Sequence, residues 1–197
     1  FAAQLGFELE DETREGMRLL APTLRKISAE RIQVELVKTL TSSRPDLLRE
    51  AWKLGITKEF LPEFDLAMET TQETVHHMYT VGEHILHTLL EVRADRILRL
   101  TMLLHDIGKP YMKTMDADGV AHFKGHPEKS SELANEILHR LKFDNDTIRK
   151  VTKLVRYHDH RMPVTPAHVR RAIHEIGEDL FPLYLEVRRA DVSAQSM

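Results

Sequence analysis

The sequence contains no cysteine, which excludes disulfide bonds and every metal site with thiolate ligands. It also has no apolar run long enough to span a membrane and no signal peptide. Low-complexity segments and internal repeats are lacking too. These absences favour a globular protein of a reducing compartment, and we expect a cytoplasmic location without a membrane partner.

Basic and acidic residues are nearly equal in number. The 28 basic and 31 acidic residues give a net charge of −3, so bulk electrostatics does not point to nucleic acid. Any contact with RNA therefore needs a local basic face. The 12 histidines are unusual in number, but metal sites, pH switches and ordinary surfaces all use histidine. Composition alone leaves these classes open.

Helical periodicity extends over almost the whole chain and predicts an all-α fold. We predict helices over 11–21, 28–40, 46–54, 79–92, 94–105, 129–141, 146–158, 166–176 and 180–193. One non-helical insert, 111–124, contains Asp118 before a glycine and predicts a hairpin turn, in which we assign Asp116 to turn chemistry. The polar stretch 68–74 is the predicted boundary between domains 1–70 and 71–197. The chain opens and stops beside helical patterns, so we expect a fragment of a longer protein.

Several polar residues occupy helix positions where a core would favour an apolar side chain. His84, His105, His158 and Asp191 each extend an apolar stripe, and Asp106 follows His105 directly. A buried carboxylate is costly unless a positive charge neutralises it. A divalent cation held by imidazole and carboxylate groups supplies that charge. A core histidine bonded to a carbonyl explains any one of these residues, but the set predicts a metal site.

His126 has two interpretations that the sequence leaves open. It is either an ordinary loop residue before the helix that starts near Lys129, or a ligand of a second metal. In the second case His158 joins it, and Asp106 bridges the two ions. His77 and His122 are further candidates for contacts to a ligand or to a phosphate.

These residues resemble the HD phosphohydrolase superfamily. The resemblance rests on segments 81–84 (VGEH), 103–110 (LLHDIGKP), 122–126 (HFKGH) and 190–191 (AD). It implies that His84, His105, Asp106 and Asp191 are metal ligands, and that His126 and His158 match members that hold two metals. The metal is a divalent ion, and Mg, Mn, Ni, Fe, Co and Zn all remain candidates.

A resemblance to bacterial tRNA nucleotidyltransferases, the CCA-adding enzymes of the poly(A) polymerase family, covers nearly the whole chain. Segments 1–9 (FAAQLGFEL) and 27–36 (ISAERIQVEL) are similar to the neck and body of these enzymes, and 77–81 and 141–144 are typical of their HD domain. This implies a small helical RNA-binding body followed by an HD helical bundle, with tRNA as partner. The catalytic head, which would bind ATP and CTP, has no counterpart in this sequence.

The resemblance also implies functional residues. Asp106 and Lys109 would be catalytic in hydrolysis of a phosphoester such as a 2′,3′-cyclic phosphate, and five basic residues of the body are candidates for RNA binding: Arg14, Arg18, Arg25, Lys26 and Arg31. Two alternatives remain. One is a stand-alone HD phosphohydrolase of small nucleotides, and the other is an inactive HD tail that serves as an RNA-binding platform.

Overall fold

The computed structural model describes residues 2–73 and 79–195. These residues are predominantly helical, and the single sheet among them is a two-stranded hairpin, so the all-α prediction is confirmed. Of the helices described, none is long and apolar enough to cross a membrane. His77 lies outside the described residues.

The first part of the chain consists of short helices. They are α1 (Ala2–Leu5), α2 (Asp11–Leu20), α3 (Ala29–Leu40), α4 (Leu48–Lys53) and α5 (Pro62–Glu69), with 3₁₀ turns at Ala21–Lys26, Pro45–Leu47 and Thr57–Glu59. Met68, the first residue of the predicted boundary stretch 68–74, lies inside α5. Pro62 starts a helix, as its fixed φ angle favours at a first position, and that helix buries Met68.

The second part carries longer helices around a common centre. They are α6 (Val81–Glu91), α7 (Arg96–Leu104), α8 (Lys109–Met112), α9 (His126–Arg140), α10 (Asn145–Tyr157), α11 (Pro166–Ile176) and α12 (Phe181–Gln195). Between α8 and α9 lies the predicted hairpin, in which β1 (Thr114–Met115) pairs antiparallel with β2 (Ala121–His122). The Thr165 hydroxyl accepts the backbone N–H of His168 and so caps α11, whose predicted range 166–176 is the range observed.

Helix α9 begins earlier than the sequence predicts. Its first residue is His126, not Lys129, because Gly125 adopts a left-handed φ of 83° and turns the chain directly into the helix. His126 is therefore fixed by regular structure and does not lie on a loop.

One hydrophobic core joins the two parts of the chain. Leu40, Phe64 and Met68 from the first part belong to the same buried cluster as Ile85 and Met102 from the second. Two bidentate ion pairs reinforce this junction: Arg49 with Glu83, at 2.8 and 2.6 Å, and Arg140 with Glu63, at 2.9 and 2.8 Å. The first part thus packs rigidly against the helices that carry the candidate site.

Helices α5 and α6 approach most closely at Gly82. A Cβ atom added there would lie 2.4 Å from Met68 Sδ and 2.6 Å from Met68 Cα. Contacts this short force the two helices apart. Gly82 is therefore required by packing, and it lies two residues before His84.

We expect Gly82→Ala to lower the free energy of unfolding by about 1–3 kcal/mol, as overpacking of a core typically does. Urea unfolding measures this loss. Gly16→Ala in α2 is the matched control, because its added methyl group meets no atom within 4 Å and alanine favours a helix by up to about 1 kcal/mol. Equal stability of the Gly82 variant and the wild type would contradict the close approach of α5 and α6.

Candidate metal centre

Five separate helices bring the candidate ligands together. His84 lies on the buried face of α6 and Asp191 on the buried face of α12. His105 and Asp106 follow α7 directly, His126 opens α9, and His158 follows α10. All six predicted metal residues therefore converge, although they are separated by up to 107 positions in the sequence.

In three of the histidines, a contact between Nδ1 and a backbone carbonyl oxygen orients the ring. His105 Nδ1 lies 2.7 Å from the Met102 carbonyl oxygen and His158 Nδ1 lies 2.7 Å from that of Val155. His126 Nδ1 lies 2.9 Å from the Phe123 carbonyl oxygen. A carbonyl can only accept, so Nδ1 carries a proton in each ring, and Nε2 carries the lone pair when the ring is neutral. The three rings thus present Nε2 as a ligand atom.

The first group of ligand atoms comprises His84, His105, Asp106 and Asp191, all buried. His84 Nε2 is 3.0 Å from Asp191 Oδ1, 3.4 Å from His105 Nε2 and 3.5 Å from Asp106 Oδ2. His105 Nε2 is 3.4 Å from Asp106 Oδ2 and 3.7 Å from Asp191 Oδ1. The four atoms form a compact cage.

The second group shares Asp106 with the first. Asp106 Oδ1 is 3.2 Å from His126 Nε2 and 3.4 Å from His158 Nε2, and these two nitrogen atoms are 3.2 Å apart. The two oxygens of one carboxylate therefore face two different groups of imidazoles. This is the arrangement of a carboxylate that can bridge two ions.

The spacing within both groups fits a divalent cation. Ligand atoms about 2.1 Å from an ion lie about 3.0 Å apart in octahedral and about 3.4 Å apart in tetrahedral geometry. Neither oxygen of buried Asp106 receives a well-directed hydrogen bond from a described residue, although Lys109 Nζ lies 2.6 Å from Oδ2. A buried carboxylate that lacks well-directed hydrogen bonds is stable only with positive charge nearby.

The electrostatics of the centre favour ionised carboxylates. Burial opposes the charge of Asp106, but Lys109 and His105 hold its pKa well below the ordinary value. Burial likewise opposes the charge of Asp191, whose pKa His105 and His84 nevertheless hold well below the ordinary value. Burial lowers the pKa of His84, which favours the neutral imidazole that a metal binds.

A cavity of about 610 Å³ opens onto both groups. Its wall includes four groups that carry or can carry positive charge: Lys109, His122, Lys124 and Arg161. Lys109 Nζ also lies 3.1 Å from Gln72 Oε1 and 5.6 Å from the centre of the Phe123 ring. Three aspartates, Asp106, Asp159 and Asp191, line it as well, so the cavity suits an anionic ligand when cations offset Asp106 and Asp191.

Three further residues at the centre were not identified from the sequence. Gln72 is buried beside Lys109 but belongs to an irregular segment. The Ser130 hydroxyl accepts the Gly108 backbone N–H at 2.9 Å and so holds α9 against the turn that carries Asp106. Gln195 donates to Asp191 Oδ1 at 3.3 Å, and its spacing of one helical turn from Asp191 could have revealed it.

The five basic residues proposed for RNA binding do not form one free basic face. Arg14 pairs with Glu50, Arg18 with Glu15 at 3.4 Å, and Arg25 with Glu59 at 2.5 Å. Lys26 and Arg31 are exposed, and no described carboxylate lies within ion-pair distance of either. The prediction therefore has its strongest structural basis at Lys26 and Arg31.

The helical bundle and its buried histidine–aspartate centre define the class of protein. The HD domain family model matches residues 74–194, and the chain belongs to this family. The model of a probable RNA and SrmB-binding site of polymerase A matches residues 6–68. The predicted resemblance to HD proteins is confirmed.

Similar proteins extend along nearly the whole chain. An A-adding tRNA nucleotidyltransferase of Deinococcus radiodurans is 35% identical over 96% of this chain and 47% of its own length. A CC-adding tRNA nucleotidyltransferase of Thermus thermophilus is 33% identical over 96% of this chain and 46% of its own length. A multifunctional CCA protein of Ectopseudomonas mendocina is 32% identical over 80% of this chain and 40% of its own length. The chain spans about half the length of the curated relatives it matches.

Proposed function

We propose that this chain serves tRNA 3′-end maturation or repair within a tRNA nucleotidyltransferase, with residues 1–70 as an RNA-binding body and 71–197 as a metal-dependent phosphohydrolase. The convergence of six ligand groups, four of which line one cavity, carries the hydrolytic part of the proposal. Similarity to A-adding and CC-adding enzymes over 96% of the chain supports the tRNA part. ATP and CTP would be bound by a head domain outside these residues.

The proposed substrate of the HD site is a phosphoester such as a 2′,3′-cyclic phosphate. When bound, a divalent cation supplies Lewis-acid polarisation of a phosphoryl oxygen and a lowered pKa for a nearby water molecule. His84, His105, Asp106 and Asp191 would hold one ion. His126 and His158 would hold a second one with Asp106.

Lys109 would stabilise negative charge on the phosphoryl group of the substrate. Its ammonium group is buried beside Asp106, and its other near neighbours are the uncharged Gln72 and Phe123. When a cation neutralises Asp106, the ammonium charge becomes available to a phosphoryl oxygen in the cavity. Charge that develops on that oxygen in the transition state is then stabilised.

The imidazole and carboxylate ligands are compatible with several metals. Imidazole nitrogen and carboxylate oxygen suit Mn, Fe, Co, Ni and Zn, while Mg prefers oxygen. With two imidazoles in each group, we propose a transition metal or Zn for the resident ion and place Mg last.

The body should bind tRNA through phosphate contacts from Lys26 and Arg31. We expect the double variant Lys26→Ala/Arg31→Ala to weaken binding of a tRNA and to reduce the slope of log K against log salt by about 2, or about one unit per lost phosphate contact. Filter binding over a range of salt concentrations measures both quantities.

A charge-matched control uses α11, which carries two exposed arginines away from the body. Arg170→Ala/Arg171→Ala removes the same two charges and should leave the salt slope unchanged. Equal effects of the two double variants would refute a specific basic face on the body. Strong phosphoester hydrolysis without tRNA binding by the wild type would favour a stand-alone hydrolase of small nucleotides.

A further inference from the structure

The β1–β2 hairpin holds an aspartate–histidine pair at the rim of the metal cavity. His122 Nε2 lies 2.8 Å from Asp116 Oδ2. His122 lines the same cavity as Asp106 and Lys109, yet neither member of the pair belongs to the two groups of candidate ligands. His122 therefore faces the cavity, with Asp116 behind it, and neither residue is needed to hold an ion.

Asp116 is fixed by its own turn. Its Oδ1 atom accepts the backbone N–H groups of Asp118 at 3.0 Å and Val120 at 2.9 Å. The hydrogen bond from His122 and the one from Val120 lower the pKa of Asp116, so the carboxylate stays ionised. The turn chemistry expected for Asp116 is present, and it uses only one of the two carboxylate oxygens.

The hairpin is tied to the segment that precedes the HD bundle. The Ala121 N–H donates to the Glu73 carbonyl at 3.1 Å, and Lys113 Nζ donates to the Thr71 carbonyl at 2.7 Å. Lys113 also pairs with the Glu73 carboxylate at 2.5 Å. These contacts involve the residues on either side of Gln72, whose side chain accepts a hydrogen bond from Lys109. The hairpin, and His122 with it, is therefore held in position relative to the site.

A carboxylate bonded to one imidazole nitrogen prepares the other nitrogen for proton transfer. Since the ionised Asp116 can only accept, His122 Nε2 carries a proton. The carboxylate also fixes the orientation of the ring, as in other carboxylate–imidazole pairs of enzymes. The alternative explanation is an ordinary surface pair that stiffens the hairpin, and it predicts no effect on the chemistry.

We propose that His122 is the general acid of the HD site and that Asp116 is its positioning residue. The proposal rests on the hydrolytic function proposed above. A water oxygen bonds to phosphorus, the bond between phosphorus and the ribose oxygen breaks, and that oxygen takes the proton from His122 Nδ1. The proton released by the attacking water restores the charge of the ring, so the net reaction adds one water across the phosphoester bond.

The test varies the leaving group. A ribose alkoxide is strongly basic and needs a proton as it departs, whereas p-nitrophenolate departs without one. We expect His122→Ala to lower kcat/KM for adenosine 2′,3′-cyclic phosphate by about 10²- to 10⁴-fold, the usual contribution of a general acid. Its kcat/KM for bis(p-nitrophenyl) phosphate and its metal content should stay close to those of the wild type.

Asp116→Asn tests the positioning role. We expect a loss of about 10- to 100-fold on the cyclic nucleotide, the range seen when an orienting partner is removed. Nitrogen NMR of labelled imidazoles gives a readout independent of activity: the Nε2–H signal of His122 should carry the shift typical of a hydrogen bond to a carboxylate in the wild type and lose it in the variant. His168→Ala is the control, since this exposed histidine of α11 does not line the cavity.

Each outcome decides the proposal. Equal losses on both esters in His122→Ala would overturn it in favour of a binding or structural role, and so would an unchanged rate on the cyclic nucleotide. If the wild type hydrolyses neither ester while binding metal, the hydrolytic function itself fails, and the proposal for His122 fails with it. The two failures are thus distinguished by the activity of the wild type.

Discussion

Asp106→Ala is expected to abolish hydrolysis of a 2′,3′-cyclic nucleotide and to remove the thermal stabilisation that divalent ions give the wild type. Asp106 is the one residue shared by both groups of ligand atoms. At a free ion concentration about a thousand times Kd, binding stabilises the folded state by about 4 kcal/mol. For a chain of this size, that corresponds to a rise in Tm of about 8–16 °C. Thermal scans with and without Mn²⁺ measure the effect.

The control for this variant is Asp179→Ala. Asp179 is an exposed aspartate near α12 that lines no part of the cavity, so its variant should keep both the turnover and the thermal shift. Because Asp106→Ala leaves the buried Lys109 ammonium without its carboxylate, the variant is expected to be less stable without metal, and the quantity compared is the shift in Tm that Mn²⁺ produces in each protein. Survival of either the turnover or the thermal shift in Asp106→Ala would contradict the assignment of this carboxylate.

The second large effect is expected at Gly108, two residues after Asp106. A Cβ atom there would lie 2.5 Å from the Ser130 backbone nitrogen and 2.9 Å from the His126 carbonyl oxygen. Backbone atoms at these distances cannot give way as the end of a side chain could, so α9 must shift. We expect Gly108→Ala to cost about 1–3 kcal/mol in the free energy of unfolding and to weaken the ion held by His126 more than the other ion.

Urea unfolding and metal titration measure these two effects together. Gly16→Ala again provides the control, because its methyl group meets no neighbour. Loss of stability with unchanged affinity for both ions would mean that the position of α9 does not control the second group. Unchanged stability would refute the close packing itself.

The sequence predicted the all-α fold and the polar residues that are buried together, because both depend on helical periodicity. His84 and Asp191 were singled out since each extends an apolar stripe, and the structure buries both. The start of α11 at Pro166 was correct because a threonine cap and an N-terminal proline are local signals. Local signals of this kind determine helix type and helix face.

Other features depend on contacts between distant segments and could not be derived in this way. The burial of Met68 could not be predicted from the polar stretch 68–74, because it depends on packing against Gly82. The ion pair of Arg25 with Glu59 joins residues 34 positions apart, and no periodicity indicates it. The pairing of His122 with Asp116 likewise requires the register of the hairpin. Charge pairing across the fold is therefore the part that sequence patterns leave undetermined.

The most direct test of the metal centre is the number of ions bound per chain after reconstitution with Mn²⁺ and removal of excess metal, measured by elemental analysis. We predict two ions for the wild type, one for His158→Ala and none for Asp106→Ala. Absence of bound metal from the wild type after reconstitution with Mn²⁺, Ni²⁺ or Mg²⁺ would contradict the assignment of both groups of ligands.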